Sequence, residues 1–308
     1  MLGETQLKSK FLGALVGTGV GDTLGRPFEG FRGPFTVDTI KFGGPYTDDT
    51  EMAIGVAESL VEKQGFDGEH MLWTFIRNFN PSRGYGWGPP QIFKWIKGGL
   101  SWAKASRRLF NGAGSWGNGA AMRIAPIGAF YFEDFDKLKK VAFQSSLITH
   151  AHILGIEGAI LQACSVAIAV NLTPESFDPQ VFVDKLFQMV TEDLYEEKLY
   201  IIRKFLREGT EEARVIGELG NGVAAFNSVP TAIFSFLSHP QSFEEAVRYA
   251  VCLGGDTDTI GAMTGAISGA YHGVEGIPDK WGKKLENGEY IESLAGKLWQ
   301  IKAKLKKL

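Results

Sequence analysis

The chain has 308 residues, 44% hydrophobic and 22% charged, with a formal net charge of -3 at pH 7. These values are those of a soluble globular protein with room for a large core in one or two domains. The weak negative charge argues against a general nucleic-acid binder, which would show a basic face. The basic tail Lys302, Lys304, Lys306 and Lys307 reads as a solvated helix end favoured by the macrodipole. The two cysteines, Cys164 and Cys252, lie in apolar runs and read as buried thiols of a reducing compartment. Lys8 and Lys10 interrupt any early signal sequence, and the apolar run Ile156 to Val170 is short for a membrane span. The expectation is a cytoplasmic monomer without membrane contact.

In chain order, Gln6 to Val20 places Leu7, Phe11, Leu12, Leu15 and Val16 on one helical face. Gly13, Gly17, Gly19 and Gly21 there allow close backbone approach. A Gly- and Pro-rich loop, Gly25 to Gly44, carries one conspicuous acid, Glu29. A helix follows from Thr47-Asp48-Asp49-Thr50, with Gly65 as its stop. Residues 69–79 predict another, Pro81 to Pro90 an irregular loop, and Ile92 to Ala105 a return to helix. Asn111 to Gly119 is a third glycine-rich loop. Phe135 to Ile148 and the nearly all-apolar Ile153 to Val170 predict helices, the second buried on most sides. Asp178 to Arg214 has the periodicity of a peripheral helix, and Gly217 to Pro230 reads as loop. Ala232 to Leu237 and Phe243 to Leu253 lead to Gly254-Gly255-Asp256-Thr257-Asp258-Thr259. A helix with Ile260, Met263, Thr264, Ile267, Ala270 and Tyr271 on one face comes next, and an amphipathic helix from about Tyr290 closes the chain. No strand alternation or internal repeat is evident. The expectation is an all-α protein, a single compact multi-helix domain over residues 1–308.

The two acidic stretches echo each other: a Gly-Gly lead-in, two aspartates, two threonines, then a helix. N-capping by Thr47 and Thr257 explains one oxygen in each and leaves the carboxylates unexplained. Residues i and i+2 of a helix point apart, so Asp256 and Asp258 converge only if Asp256 sits in the loop, a bend that Gly254-Gly255 permits. Four converging carboxylates repel unless protonated or neutralised by cations. Carboxylate and hydroxyl oxygens without thiols favour Mg²⁺, Mn²⁺ or Ca²⁺, and their number suits two ions. Gly114 to Gly119 suits a diphosphate but lacks the Lys-Ser/Thr of a P-loop. His150 and His152 without a cysteine make a thin case for zinc.

At these residues the chain resembles the ADP-ribosylglycohydrolase family, which includes the glycohydrolase that reactivates dinitrogenase reductase and the animal ADP-ribosyl-acceptor hydrolases. The resemblance runs through Gly21-Asp22 to Glu29, Tyr46 to Thr50, Gly114 to Arg123, Thr149-His150-Ala151, Gly220-Asn221-Gly222 and Leu253 to Thr259. Arg83-Gly84-Tyr85-Gly86 and Gly222 to Ile233 resemble the branch that removes ADP-ribose from serine and degrades poly(ADP-ribose) and O-acetyl-ADP-ribose. The resemblance implies an all-α, orthogonal multi-helix fold with two Mg²⁺ (Mn²⁺ as alternative) held by Thr47, Asp48, Asp49, Asp256, Asp258 and Thr259. It makes Glu29 the acid/base group. Gly84, Phe110, Gly114, Ser115, Trp116, Gly117, Asn118, His150 and Val223 would wrap ADP-ribose, with Trp116 where the branch usually has tyrosine. The expected activity is Mg²⁺-dependent hydrolysis of the C1″ linkage of ADP-ribose on serine-type acceptors of ADP-ribosylated proteins, poly(ADP-ribose) or O-acetyl-ADP-ribose. An arginine-ADP-ribose hydrolase, a two-metal phosphoesterase and a non-catalytic ADP-ribose binder stand as rival readings.

Overall fold

The computed structural model describes residues 2–36 and 42–306, of Lys306 the backbone only. Part of the Gly25 to Gly44 loop and Lys307 of the basic tail lie outside the described residues. Sixteen α-helices follow one another: α1 Glu4–Gly25, α2 Asp48–Lys63, α3 Gly68–Asn78, α4 Gly88–Lys97, α5 Trp102–Ala105, α6 Ala125–Phe130, α7 Phe135–Ser146, α8 Ile153–Asn171, α9 Pro179–Phe187, α10 Asp193–Glu208, α11 Glu212–Glu218, α12 Ala225–Ser238, α13 Phe243–Cys252, α14 Thr257–His272, α15 Asp279–Gly282 and α16 Gly288–Lys306. Among the described residues there is no strand, only two isolated bridges, Arg32 to Gly254 and Gly117 to Ala224.

One contiguous core runs from Leu7 to Trp299. Its central helix, α8, is buried on nearly all sides, as an apolar run without a polar face must be, and packs against α6, α7, α12 and α14. By length and composition α8 could cross a membrane, but here its apolar surface is inside the protein.

The closest pair is α1 with α14. Glycines at every fourth position of α1 meet partners at the same spacing on α14, running the opposite way. A Cβ on Gly13 would lie 2.1 Å from the Gly269 carbonyl oxygen, one on Gly17 2.2 Å from that of Gly265, and one on Gly21 1.9 Å from that of Gly261. Only hydrogen side chains let the two backbones touch over this length. Gly19 is turned away, toward Leu285 and Thr50. The seam brings the C-terminal end of α1 to the N-terminal end of α14, so two distant parts of the sequence share one end of the molecule. We expect Gly265→Ala, whose new Cβ would sit 2.1 Å from the Gly17 carbonyl oxygen, to force the helices apart and cost about 1–3 kcal/mol or more. Thermal unfolding should show a fall in Tm of several degrees; an unchanged Tm would contradict so tight a seam.

The elements differ from the sequence expectation at five places. The stop of α2 is Gln64, left-handed at φ 53°, one residue before Gly65. The region expected to be loop up to Pro90 turns helical at Gly88, because Pro89 and Pro90 lie in a first turn, where a missing N–H costs nothing. The helix expected over Ile92 to Ala105 breaks after Lys97, where Gly99 takes φ +94°. The 178–214 segment is divided among α9, α10 and α11. The expected loop up to Pro230 is mostly wrong: Pro230 lies inside α12. An interior proline removes a helical hydrogen bond at a cost of about 3 kcal/mol. Burial of Val229, Ile233, Phe234, Phe236 and Leu237 on the same helix outweighs it.

Candidate active site

The α1/α14 seam opens into a cleft of about 490 Å³ lined by Glu29, Asp48, Asp49, Asp256, Asp258 and Thr259 together with Gly84, Phe110, Ser115, Trp116, Gly117, Asn118, His150 and Val223. Asp256 is the residue before α14, with non-helical φ -88° and ψ 66°, and follows Gly254 and Gly255 at φ +73° and +77°. The bend turns the Asp256 carboxylate toward that of Asp258, and oxygens of Glu29, Asp256 and Asp258 lie within 4.8 Å of one another. Thr257 is not the cap; its hydroxyl donates to the Gly25 carbonyl at 2.8 Å and ties α14 to α1. The loop bearing Glu29 is pinned to the same bend. Gly30 N–H donates to the Gly255 carbonyl and Gly255 N–H to that of Phe31, both at 2.8 Å.

Across the cleft, Thr47 caps α2 by accepting from Asp49 N–H at 3.3 Å, and its hydroxyl also donates to Asp49 Oδ2 at 3.1 Å. Thr47 is buried behind Asp49 and is not part of the cleft lining. Behind both stands Asp22, fully buried, to which the sequence motifs assign no role. Its carboxylate accepts from Thr47 N–H at 3.0 Å, Thr50 N–H at 3.1 Å and the Thr50 hydroxyl at 2.5 Å. The sequence signal was available: a lone acid in the small-residue run of α1, where burial demands partners. We expect Asp22→Ala to lower Tm by several degrees, since it leaves buried donors of α2 unpaired at about 1–3 kcal/mol. It should also weaken catalysis more than Asp22→Asn, which keeps an acceptor oxygen; equal effects of the two would show that hydrogen bonding does not place α2.

The acids are held in an environment that resists their ionisation. Burial, with Asp22 next, pushes Asp48 up to about 8; burial and Asp256 push Asp258 up to about 9. Asp49 is raised well above its ordinary value by burial and then by Asp258. Asp256 is raised by burial although Asn118 Nδ2 donates to it at 2.5 Å, and Glu29 is raised by burial and then Asp256. No lysine or arginine forms an ion pair with any of the four aspartates among the described residues. Asp49 Oδ1 is buried without a hydrogen-bond partner. A partnerless carboxylate oxygen beside three further carboxylates, with hydroxyls and no thiol, fits hard divalent cations.

The remaining walls are aromatic and glycine-rich. Phe110 and Trp116 are about half exposed, with ring centroids 5.7 Å apart and planes at 24°. A base inserted between them needs about 7 Å, twice an atomic contact, so it must part the rings or stack on an outer face. Asn118 N–H donates to the Val223 carbonyl and Ala225 N–H to that of Trp116, both at 3.0 Å, which props the loop on residues 223–225. Gly117 N–H is spent on Ser115 Oγ at 3.2 Å. Gly114 N–H donates to the Leu109 carbonyl at 3.1 Å, so three loop amides are engaged within the protein, leaving fewer for a diphosphate than the glycine content suggests. Gly114 stands behind the lining, at φ +75°, where a Cβ would meet His152 N at 2.7 Å. His150 is buried against Gly119, and burial and then Arg123 push its ring down to about 3, so it is neutral near pH 7. Gly84 lies over Asp48, in a loop clamped by Arg83 to Glu286 and by Tyr85 donating to Glu51 at 2.8 Å. Trp87, Leu109, Met122 and Thr149 also line the cleft and were not anticipated.

An all-α scaffold holds an acid-floored, aromatic-rimmed cleft whose acids are compatible with a hard cation, and comparison with known proteins gives the class. The profile of the ADP-ribosylglycohydrolase family matches residues 3–306. The chain is 36% identical to the Xenopus tropicalis protein named ADP-ribosylhydrolase ARH3, covering 95% of each, and 35% identical to the Homo sapiens protein of that name, covering 97% of this chain and 95% of the other. A solved structure described as an ADP-ribosylglycohydrolase-related protein complex superposes with a TM-score of 0.75 at 25% identity, covering 97% of this chain and 99% of that one. The chain belongs to the ADP-ribosylglycohydrolase family and is a hydrolase of glycosidic bonds. The all-α expectation and the family resemblance both hold.

Proposed function

We propose that the protein hydrolyses the C1″ linkage of ADP-ribose on serine-type acceptors, poly(ADP-ribose) or O-acetyl-ADP-ribose. The observation that carries this reading is the convergence of Glu29, Asp256 and Asp258 within 4.8 Å at the floor of a cleft whose rim offers stacking aromatics. Two Mg²⁺ (or Mn²⁺) held by Asp48, Asp49, Asp256, Asp258 and Thr259, with Thr47 reaching them only by turning its hydroxyl from Asp49, would neutralise the acids and grip ribose hydroxyls. Phe110 and Trp116 take the adenine by stacking. Asn118, Ser115 and the neutral His150 position the ribose and diphosphate. Water oxygen bonds to C1″ as the bond from C1″ to the acceptor oxygen breaks. Glu29 takes the water proton and passes it to the departing acceptor oxygen, so the acceptor is released as its alcohol or acid and the Glu29 carboxylate is restored. Its raised affinity for protons suits a group that must both accept and return one.

Incubation with serine-ADP-ribosylated peptide and Mg²⁺ tests the reading. The expected result is free ADP-ribose and unmodified peptide by mass spectrometry. Phosphate release would favour a phosphoesterase, release from arginine alone would move the acceptor, and tight ADP-ribose binding without turnover would leave a binding protein.

A further inference from the structure

The overall charge conceals an uneven distribution. From His70 to Phe132 the chain contains no aspartate or glutamate, yet it holds eight of the 32 lysines and arginines; all 35 acids lie elsewhere. This acid-free segment builds one wall of the cleft. It leaves the lining at Pro89, forms α4, α5 and the turn after them, and re-enters the lining at Leu109 and Phe110. Between those points Lys94, Lys97, Lys104, Arg107 and Arg108 are all exposed, and none is ion-paired among the described residues. Arg108 stacks its guanidinium 5.1 Å from the Trp95 ring, which ties the end of the segment back onto α4. Where the segment leaves the cleft, Trp87 stands 63% exposed with its ring edge-on to Phe110 at 6.1 Å. The rings Trp87, Phe110 and Trp116 thus form a continuous aromatic row leading from the cleft to the cationic wall.

We propose that the α4–α5 wall binds single-stranded nucleic acid, its cations on the phosphates and Trp87 under a base. Five exposed cations without an ion-pair partner attract a polyanion, because like charges drawn onto one segment repel until counter-charge is added. Exposed tryptophan at the boundary favours a partner with free π-faces. That points to an unpaired strand, since an acidic peptide has no bases to stack and a duplex keeps its bases covered. The net charge of -3 is no obstacle, since the Debye length of about 10 Å at 0.1 M salt lets local charge dominate.

The test is fluorescence anisotropy of a labelled single-stranded oligonucleotide with the full chain, titrated across salt. With five phosphate contacts the slope of log K against log salt should be near -3.5, and with only Arg108 left it should fall to about -0.7. The variant Lys94→Gln/Lys97→Gln/Lys104→Gln/Arg107→Gln should therefore lose at least about tenfold in affinity at low salt. Trp87→Ala should weaken binding without changing the slope, because stacking releases no counterions. Failure of the wild type to bind overturns the proposal without recourse to any variant. So does equal competition by polyglutamate of matched charge, or selective binding of poly(ADP-ribose) with none of the oligonucleotide. An unchanged slope in the quadruple variant with an unchanged Tm overturns it as well. In turnover, the quadruple variant should keep cleavage of ADP-ribosyl peptide, since none of its four positions lines the cleft.

Discussion

Asp258→Ala should abolish turnover, a loss of about 10³-fold or more if Asp258 anchors the charge that the reaction requires. A lost fold would mimic this result, so the decisive measurement is thermal stability with and without metal. For the wild type, Mg²⁺ at about a hundred times its Kd should stabilise by about 2.7 kcal/mol and raise Tm by roughly 4 °C. In Asp258→Ala that rise should vanish, while the metal-free variant should be at least as stable as the metal-free wild type. The reason is electrostatic. Asp258 is pushed up to about 9, first by burial and then by Asp256, so its ionised form is costly in the folded chain. A carboxyl raised in the folded state stabilises below its unfolded value and loses that contribution as pH rises through the folded value. Chelated wild-type protein should therefore lose stability between about pH 4 and pH 9, and Mg²⁺ should oppose the loss. Full activity of the variant, or no effect of chelation on Tm, would remove the metal from the reading.

Glu29→Gln should lower kcat by about 10² to 10⁴-fold with little change in KM, as expected for loss of a proton-transfer group. The metal-dependent rise in Tm should largely survive, because Glu29 is exposed and its loop is held by backbone bonds from Gly30 and Phe31 to Gly255, none of which uses the carboxylate. The amide keeps the size and the acceptor oxygen and removes only the exchangeable charge. A kcat within a few-fold of wild type would assign the proton transfer to another group.

Much of the cleft was legible because its chemistry is local in sequence. Thr47 to Thr50 and Asp256 to Thr259 advertise themselves by composition, and Gly254-Gly255 announces the bend that the structure places there. The glycine-rich Gly114 to Gly119 could be singled out for the same reason, whereas Phe110 and Trp116 entered only through the family resemblance, because exposure of a ring is not written in the sequence. Asp22 was less legible, since its function is to accept hydrogen bonds from a segment 25 and 28 residues away. Trp87 looked like one more aromatic in a loop until α4 placed it beside Phe110. Pro230 misled because proline is a strong local signal, and only the burial of its neighbours on α12 shows why it was overruled.

The sequence by itself determined the helical periods, the two acidic stretches and the identity of the groups able to bind a hard cation. It also carried the glycines at every fourth place in α1, without saying what they touch. The tertiary structure alone decided that these glycines meet those of α14, and so that Glu29 and Asp256 share one point although more than two hundred residues separate them. The physical reason is that side-chain chemistry and turn preference belong to neighbouring residues, whereas a contact between distant backbones exists only once both helices are packed.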